Sequence, residues 1–284
     1  MVENNNYLKQ FVKANNGVIY KYNDVKYGLI LIKMFDDYYE YRKIKKYYKN
    51  YQNIECLYKI FSFDDRGFIK MELVKGCFLN DKYKNIYKRI IVMLNFFEEW
   101  VKKLPVVPFN YNDSYLYLLE SQFNRIEDNC NNEMLLDVLY LYKKCIDDVS
   151  DIEYDYLIHG DLNSRNILVQ DDEKMKVIDL SPIIGCIELE LVRYIEDELF
   201  SNIEKFDNII EFIIEKNDNN IFDKNRLLKL LSVDSFYRTF DSYFIGDTTE
   251  IIGKGILLSK KIFNWRCKHG FCFISKRNWK TFFV

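Results

Sequence analysis

The chain has 284 residues, of which 49% are hydrophobic, 17% aromatic and 30% charged, which supplies a large apolar core and excludes a disordered chain. Its 41 Lys and Arg stand against 43 Asp and Glu, and a net charge of −2 excludes a nucleic-acid coat or a polybasic membrane anchor. No stretch approaches the roughly 20 apolar residues of a membrane-crossing helix. The start, Met1-Val2-Glu3-Asn4-Asn5-Asn6, has neither a basic nor an apolar targeting region, and seven scattered cysteines read as reduced thiols. A cytoplasmic protein is expected, monomeric or weakly dimeric, with no nucleic-acid or membrane partner.

Charge is unevenly spread: residues 1–75 carry +5 and residues 76–284 carry −7. Two β-like runs, Val18 to Tyr22 and Tyr27 to Ile32, flank Asn23-Asp24 and predict a hairpin. The second ends in Lys33, which can either snorkel at a strand end or reach into a cleft. From Asp36 to Asn50 the residues Tyr38, Tyr41, Ile44 and Tyr48 share a helical face, with Glu40 in the first turns. Ile54 to Ser62, a turn at Asp64-Asp65-Arg66-Gly67, and Phe68 to Leu73 then predict a second antiparallel pair.

After Gly76 the pattern becomes helical. Helices are expected over 84–104 and 132–147, separated by a loop-rich stretch at 105–131 with Pro105, Pro108 and several Asn. Phe206, Ile209, Ile210 and Ile213 mark an amphipathic helix over 204–216, with more helix to about residue 264. The fold class is α+β: a lobe at 1–75 with an antiparallel sheet and one helix, and a mainly helical lobe at 76–284.

The chemistry is concentrated in residues 156–179. A short strand, Tyr156 to Ile158, opens into a polar loop holding Asp161 and Asn166, and the hairpin Ile167–Gln170 and Met175–Ile178 returns Asp179 beside it. Mg²⁺ prefers carboxylate and amide oxygens and leaves positions for phosphates, so Asn166 and Asp179 suit a metal. Asp161 can accept a proton from an attacking hydroxyl.

His159-Gly160-Asp161-Leu162, then Asn166, then Val177-Ile178-Asp179 resemble the catalytic and metal loops of the aminoglycoside phosphotransferase and choline kinase superfamily, relatives of protein kinases. The spacing from Ile178 to Gly185 is most similar to streptomycin and hydroxyurea-type antibiotic kinases. The resemblance covers nearly the whole chain and implies a bilobal protein-kinase-like fold, with 1–75 as the nucleotide-binding lobe, and an Mg²⁺-dependent phosphotransferase using ATP or GTP. It also assigns roles: Lys33 on the α/β-phosphates with Glu40 (or Glu55) pairing to it, and Met71-Glu72-Leu73-Val74 as the base-binding hinge. Asp161 becomes the base, and Asn166 and Asp179 the metal ligands.

Several positions depart from that pattern. Asn163-Ser164-Arg165 stand where the superfamily often has His-Pro-Gly or His-His-Gly, Cys186 takes the place of a frequent aspartate, and Glu190 falls where an aspartate is usual. The turn Lys13-Ala14-Asn15-Asn16-Gly17 has one glycine, so phosphate binding would lean on Lys33 and the metal. Gly160 in place of an arginine, Asp179-Leu180-Ser181, and the lack of a downstream Ala-Pro-Glu argue for a small-molecule acceptor over a protein one. Acidic residues before the catalytic loop (Asp147, Asp148, Asp151, Glu153 and Asp155) and after it (Glu188, Glu190, Glu196, Asp197 and Glu198) would suit a cationic acceptor. An aminoglycoside is therefore expected first, with choline, ethanolamine or a sugar as alternatives, and a catalytically inactive kinase-like binding module as the non-enzymatic one. Cys267, His269 and Cys272 fall short of the four ligands of a structural zinc, and the basic aromatic end is expected to dock on the domain.

Overall fold

The computed structural model describes residues 9–14, 17–217 and 220–271. Its first half holds β1 (Lys9–Ala14), β2 (Gly17–Asp24), β3 (Gly28–Phe35), α1 (Tyr38–Tyr51), β4 (Ile60–Asp64), β5 (Phe68–Glu72), β6 (Cys77–Phe78), α2 (Leu79–Lys82), α3 (Ile86–Val101), α4 (Tyr115–Asn129) and α5 (Glu133–Val149). Four short strands follow, β7 (Tyr156–Ile158), β8 (Ile167–Val169), β9 (Met175–Val177) and β10 (Ile183–Gly185). Then come α6 (Ile187–Ser201), α7 (Phe206–Glu215), α8 (Lys224–Phe244) and α9 (Thr249–Lys268). Asn15, Asn16, Cys272 and the basic aromatic end beyond it lie outside the described residues.

The described residues form two compact units, one from those within 9–84, 103–105 and 161–182, the other from those within 85–102, 106–160 and 183–271. In the first, an antiparallel sheet of order β1-β2-β3-β5-β4 carries α1. Asx turns close its hairpins: the Asp24 carboxylate accepts from the Lys26 N–H at 2.9 Å and the Asp64 carboxylate from the Arg66 N–H at 2.9 Å. Asp37 caps α1 by accepting from the Tyr39 N–H at 2.8 Å, and Tyr41, Ile44, Tyr47, Tyr48 and Tyr51 form its buried face.

Two local expectations are corrected here. The strand expected from Ile54 begins only at Ile60, because the backbone before it is bonded to β9: the Val177 N–H donates to Cys56 C=O at 2.7 Å and the Tyr58 N–H to Val177 C=O at 2.9 Å. β1, absent from the sequence reading, adds a polar edge strand paired from Lys9↔Lys21 to Ala14↔Gly17.

In the second unit α8 is the central helix, buried on several sides through Leu227, Leu231, Phe236 and Phe240 and packed on α5, α6 and α9. Gly255 permits the approach of α9, since a Cβ there would stand 2.6 Å from Thr239 Oγ1. The stretch 105–131, expected as loop, contains α4. Ser114 caps it, accepting from the Tyr117 N–H at 3.2 Å, and Tyr115, Leu119, Phe123 and Ile126 supply a buried face at helical spacing that Pro105 and Pro108 masked.

An ion pair deep in this unit ties α3 to α6: Arg89 donates to Glu198 through Nε at 2.7 Å and a terminal nitrogen at 2.6 Å, and the Tyr194 hydroxyl donates to the same carboxylate at 3.0 Å. Removing one partner strands a buried charge, whereas removing both leaves an apolar contact. Arg89→Met alone should therefore lower unfolding stability by about 3–5 kcal/mol, and Arg89→Met with Glu198→Leu should regain most of it. Urea denaturation of the single and double variants checks this; additive losses would contradict it.

Candidate active site

Lys33 on β3 is 1% exposed, and a buried ammonium needs a counter-charge. It finds one in Asp179, whose carboxylate it contacts at 2.6 Å, with the Phe35 ring 4.7 Å from the ammonium. Sheet pairing fixes the lysine, because Lys33 lies opposite Ile19 on β2 and Ile69 on β5. Asp179 follows β9 at φ +58°, a left-handed conformation that Asp tolerates better than most residues and that costs roughly 1–2 kcal/mol. The turn is held because the Ile178 N–H donates to Asn166 C=O at 2.9 Å and β9 is itself bonded to the 56–58 segment. Burial raises the Tyr58 hydroxyl well above the ordinary phenol range, and the negative Asp179 raises it further.

Asp161 sits in the same unit, gripped by two carboxamides. Asn163 Nδ2 donates to one carboxylate oxygen at 3.0 Å, and Asn166 Nδ2 donates to the other at 3.0 Å and to the Asp161 main-chain oxygen at 2.8 Å. Asn163 Oδ1 accepts from the Arg165 N–H at 2.9 Å, and the neighbouring Ser164 hydroxyl accepts from Asn80 Nδ2 at 2.9 Å. Asn163-Ser164-Arg165 thus close the loop by side-chain bonds. Sequence reading treated Asn163 only as a departure; the Asx spacing to Arg165 was the signal available.

In the other unit, Glu190 on α6 accepts from the His159 and Gly160 N–H groups and from Trp100 Nε1, the last at 3.0 Å. Through the two backbone bonds Glu190 holds the strand end that leads in sequence to Asp161. Burial dominates the donors and pushes the Glu190 carboxyl up to about 7. Cys186, buried at the start of α6, has its thiol raised by burial and by Glu188.

The remaining expected residues are placed as follows. Glu40 lies in the first turn of α1, while the ion pair of Lys33 is made with Asp179. Glu72 ends β5, exchanges bonds with Lys59 at 2.8 Å and 3.1 Å, and faces the Lys176 ammonium at 3.8 Å; Val74 lies two residues on. Among the described residues no cluster of three or more His, Cys, Asp or Glu can hold a metal. A Mg²⁺ held by few protein oxygens and by phosphates needs no such cluster. The residues fit that ion: the Asn166 amide nitrogen is spent on Asp161, leaving its oxygen as donor, and Asp179 bonds Lys33 through one oxygen only.

Several of the acidic residues expected to attract a cationic acceptor have partners within the chain. Glu188 pairs with Arg226 at 3.2 Å, Glu196 faces Arg238 at 3.8 Å, Glu198 holds Arg89, Asp151 faces Lys229 at 3.8 Å, and Asp148 pairs with Arg266. Their number in the sequence therefore does not measure an acidic pocket. His269 caps α9 by its Nδ1 contact to Trp265 C=O at 2.8 Å and stacks on Trp265.

No family model and no curated protein matches the sequence. Solved structures do match over most of the chain. A choline kinase from Cryptosporidium parvum superposes with a TM-score of 0.66 at 11% identity, covering 95% of this chain and 92% of the other. An ethanolamine kinase from Plasmodium vivax gives 0.63 at 13% identity, with 92% and 84% covered. The aminoglycoside phosphotransferase APH(4)-Ia, a thermostable mutant bound to ADP and hygromycin B, gives 0.58 at 11% identity, with 89% and 93% covered. The fold is accordingly the protein-kinase-like fold of these small-molecule kinases, as the loop motifs implied.

Glu190 yields a pH prediction. Its folded pKa of about 7 lies above the ordinary 4.5, so the folded state binds this proton more tightly than the unfolded state. Its contribution is fully present below about pH 4.5 and is lost as pH rises to about 7, a change on the order of 3 kcal/mol. Glu190→Gln keeps an acceptor oxygen and should remove that slope. Unfolding free energies at pH 5 and pH 8 test it: the variant should gain on the parent at pH 8, and parallel curves would refute the assignment.

Proposed function

We propose that the protein is a small-molecule kinase that transfers the γ-phosphoryl group of ATP or GTP to an acceptor hydroxyl. The observation that carries this reading is the 2.6 Å ion pair between the buried Lys33 and the partly exposed Asp179, in the same unit as the loop that clamps Asp161 against Asn166. Lys33 fixes the α/β-phosphates. Glu40, on the helix beside this sheet, supports the lysine once nucleotide competes for Asp179, and the Glu72–Val74 segment receives the base. Asn166 and Asp179 hold Mg²⁺, which when bound neutralises phosphate charge.

Asp161 orients the acceptor hydroxyl and takes its proton as the oxygen bonds to the γ-phosphorus. The bond from that phosphorus to the β-bridging oxygen breaks, and the nucleoside diphosphate leaves with its electron pair. Transfer of this kind depends chiefly on position and charge. The acceptor is an amino alcohol of the choline or ethanolamine type, or an aminoglycoside. These are the substrates named for structures sharing the fold, and the pairing of several of the acidic residues within the chain weakens the charge-based preference for the polycation.

A nucleotide-consumption assay across amino alcohols, aminoglycosides and sugars, with and without EDTA, tests the activity. Turnover should require Mg²⁺ and fall by about 10²–10⁴-fold in Asp161→Ala, with a comparable loss in Asp179→Asn. Lys33→Ala should mainly raise the KM for nucleotide. Mg-ATP or Mg-GTP should raise the melting temperature of the parent protein. Absence of both the thermal shift and transfer to every acceptor would end this reading, as would near-parental rates in Asp161→Ala.

A further inference from the structure

Asn163 is 3% exposed and divides its carboxamide between two tasks. Its nitrogen donates to the Asp161 carboxylate at 3.0 Å, and its oxygen accepts from the Arg165 N–H at 2.9 Å. The opposite oxygen of Asp161 is held at 3.0 Å by Asn166. The backbone joins the three residues as well, since the Asn163 N–H donates to Asp161 C=O at 2.9 Å and the Asn166 N–H to Asn163 C=O at 3.0 Å.

A carboxylate held on one oxygen can still rotate about its last bond; held on both, it presents one direction. We propose that Asn163 is a positioning residue that, with Asn166, sets the plane of the Asp161 carboxylate against the acceptor hydroxyl. This inference rests on the phosphotransferase reading above. The donor is a neutral amide, so it orients Asp161 without cancelling the negative charge that receives the proton. An ammonium or guanidinium there would form an ion pair and compete with the acceptor.

The two tasks can be separated by substitution. Asn163→Asp keeps an oxygen for Arg165 and the size of the side chain, but removes the donor and sets a second carboxylate against the first. Asn163→His supplies a ring N–H, and Asn163→Ala removes both bonds. The Asp variant should lose about 10- to 100-fold in kcat with nucleotide KM within about twofold, because the acceptor geometry is disturbed and nucleotide binding is not. The His variant should recover part of the loss.

In an Asp161→Asn background, Asn163→Asp should cost less than about twofold further, since the residue acts through Asp161. A role confined to loop shape predicts equal losses in both backgrounds, and either that result or parental kcat in Asn163→Asp would overturn the inference. The hydrogen bond has a readout without turnover: the Asn163 side-chain amide NMR signals, identified by their loss in Asn163→Asp, should shift in Asp161→Ala. Unchanged signals would overturn the inference on structural grounds. A parent protein that binds Mg-nucleotide and transfers phosphate while Asn163→Asp is unaffected would sink only this inference; a parent that does neither would sink the functional reading beneath it.

Discussion

A lysine ammonium that is 1% exposed is the constraint on which the first unit is built. Removing such a charge from water is tolerable only with a counter-charge in contact. Asp179 supplies it from a position 146 residues away in the chain, so folding must bring the end of β9 to the middle of β3. The cross-bonds of β9 with Cys56 and Tyr58, and the Ile178–Asn166 bond, follow from that requirement. They hold a turn whose left-handed Asp179 would otherwise relax.

Charge in the second unit behaves differently. Part of its acidic complement is spent indoors: Glu190 on backbone amides, Glu198 on Arg89, Glu188 on Arg226 and the Asp223 N–H. Each carboxylate is buried on α6, where an apolar environment makes an unpartnered charge expensive, and each therefore selects a donor from a neighbouring helix or strand. Counting acids along a chain cannot distinguish this use from a substrate-facing surface, because both give the same composition.

The parts of the fold that were legible are those whose signal is local. The α1 face of Tyr41, Ile44 and Tyr48, the Asp64 to Gly67 turn and the hairpin leading to Asp179 each lie within a few residues of their own cause. α4 was missed because two prolines and several asparagines outweighed a helical face beginning at a serine cap, and the true start of β4 depended on hydrogen bonds from residue 177. At the candidate site, the spacing of Asp161, Asn166 and Asp179 was readable, whereas the partner of Lys33 in this state was not. Glu40 and Asp179 are both carboxylates, and only tertiary contact distinguishes them. Asn163 was visible as an Asx residue, but its second bond, back to Asp161, needs the loop to be closed first.

The materials of that loop show a consistent choice. Asp161 is held by the amides of Asn163 and Asn166, Arg165 contributes its backbone N–H, and Ser164 is bonded to Asn80. Each of these bonds uses a neutral donor. Lys33, a cation of the same unit, sits on Asp179. Neutral donors fix geometry at about 1.5–3 kcal/mol apiece on an ionised acceptor while leaving net charge untouched, whereas on the proposed reading each added cation would neutralise a carboxylate meant for metal or proton. On the proposed reading, a site for a highly charged triphosphate must supply positive charge from few and defined points, so that the phosphates and not the protein's own carboxylates receive it. Concentrating that charge in one buried lysine and leaving orientation to carboxamides satisfies both demands with side chains drawn from a single loop and a single strand.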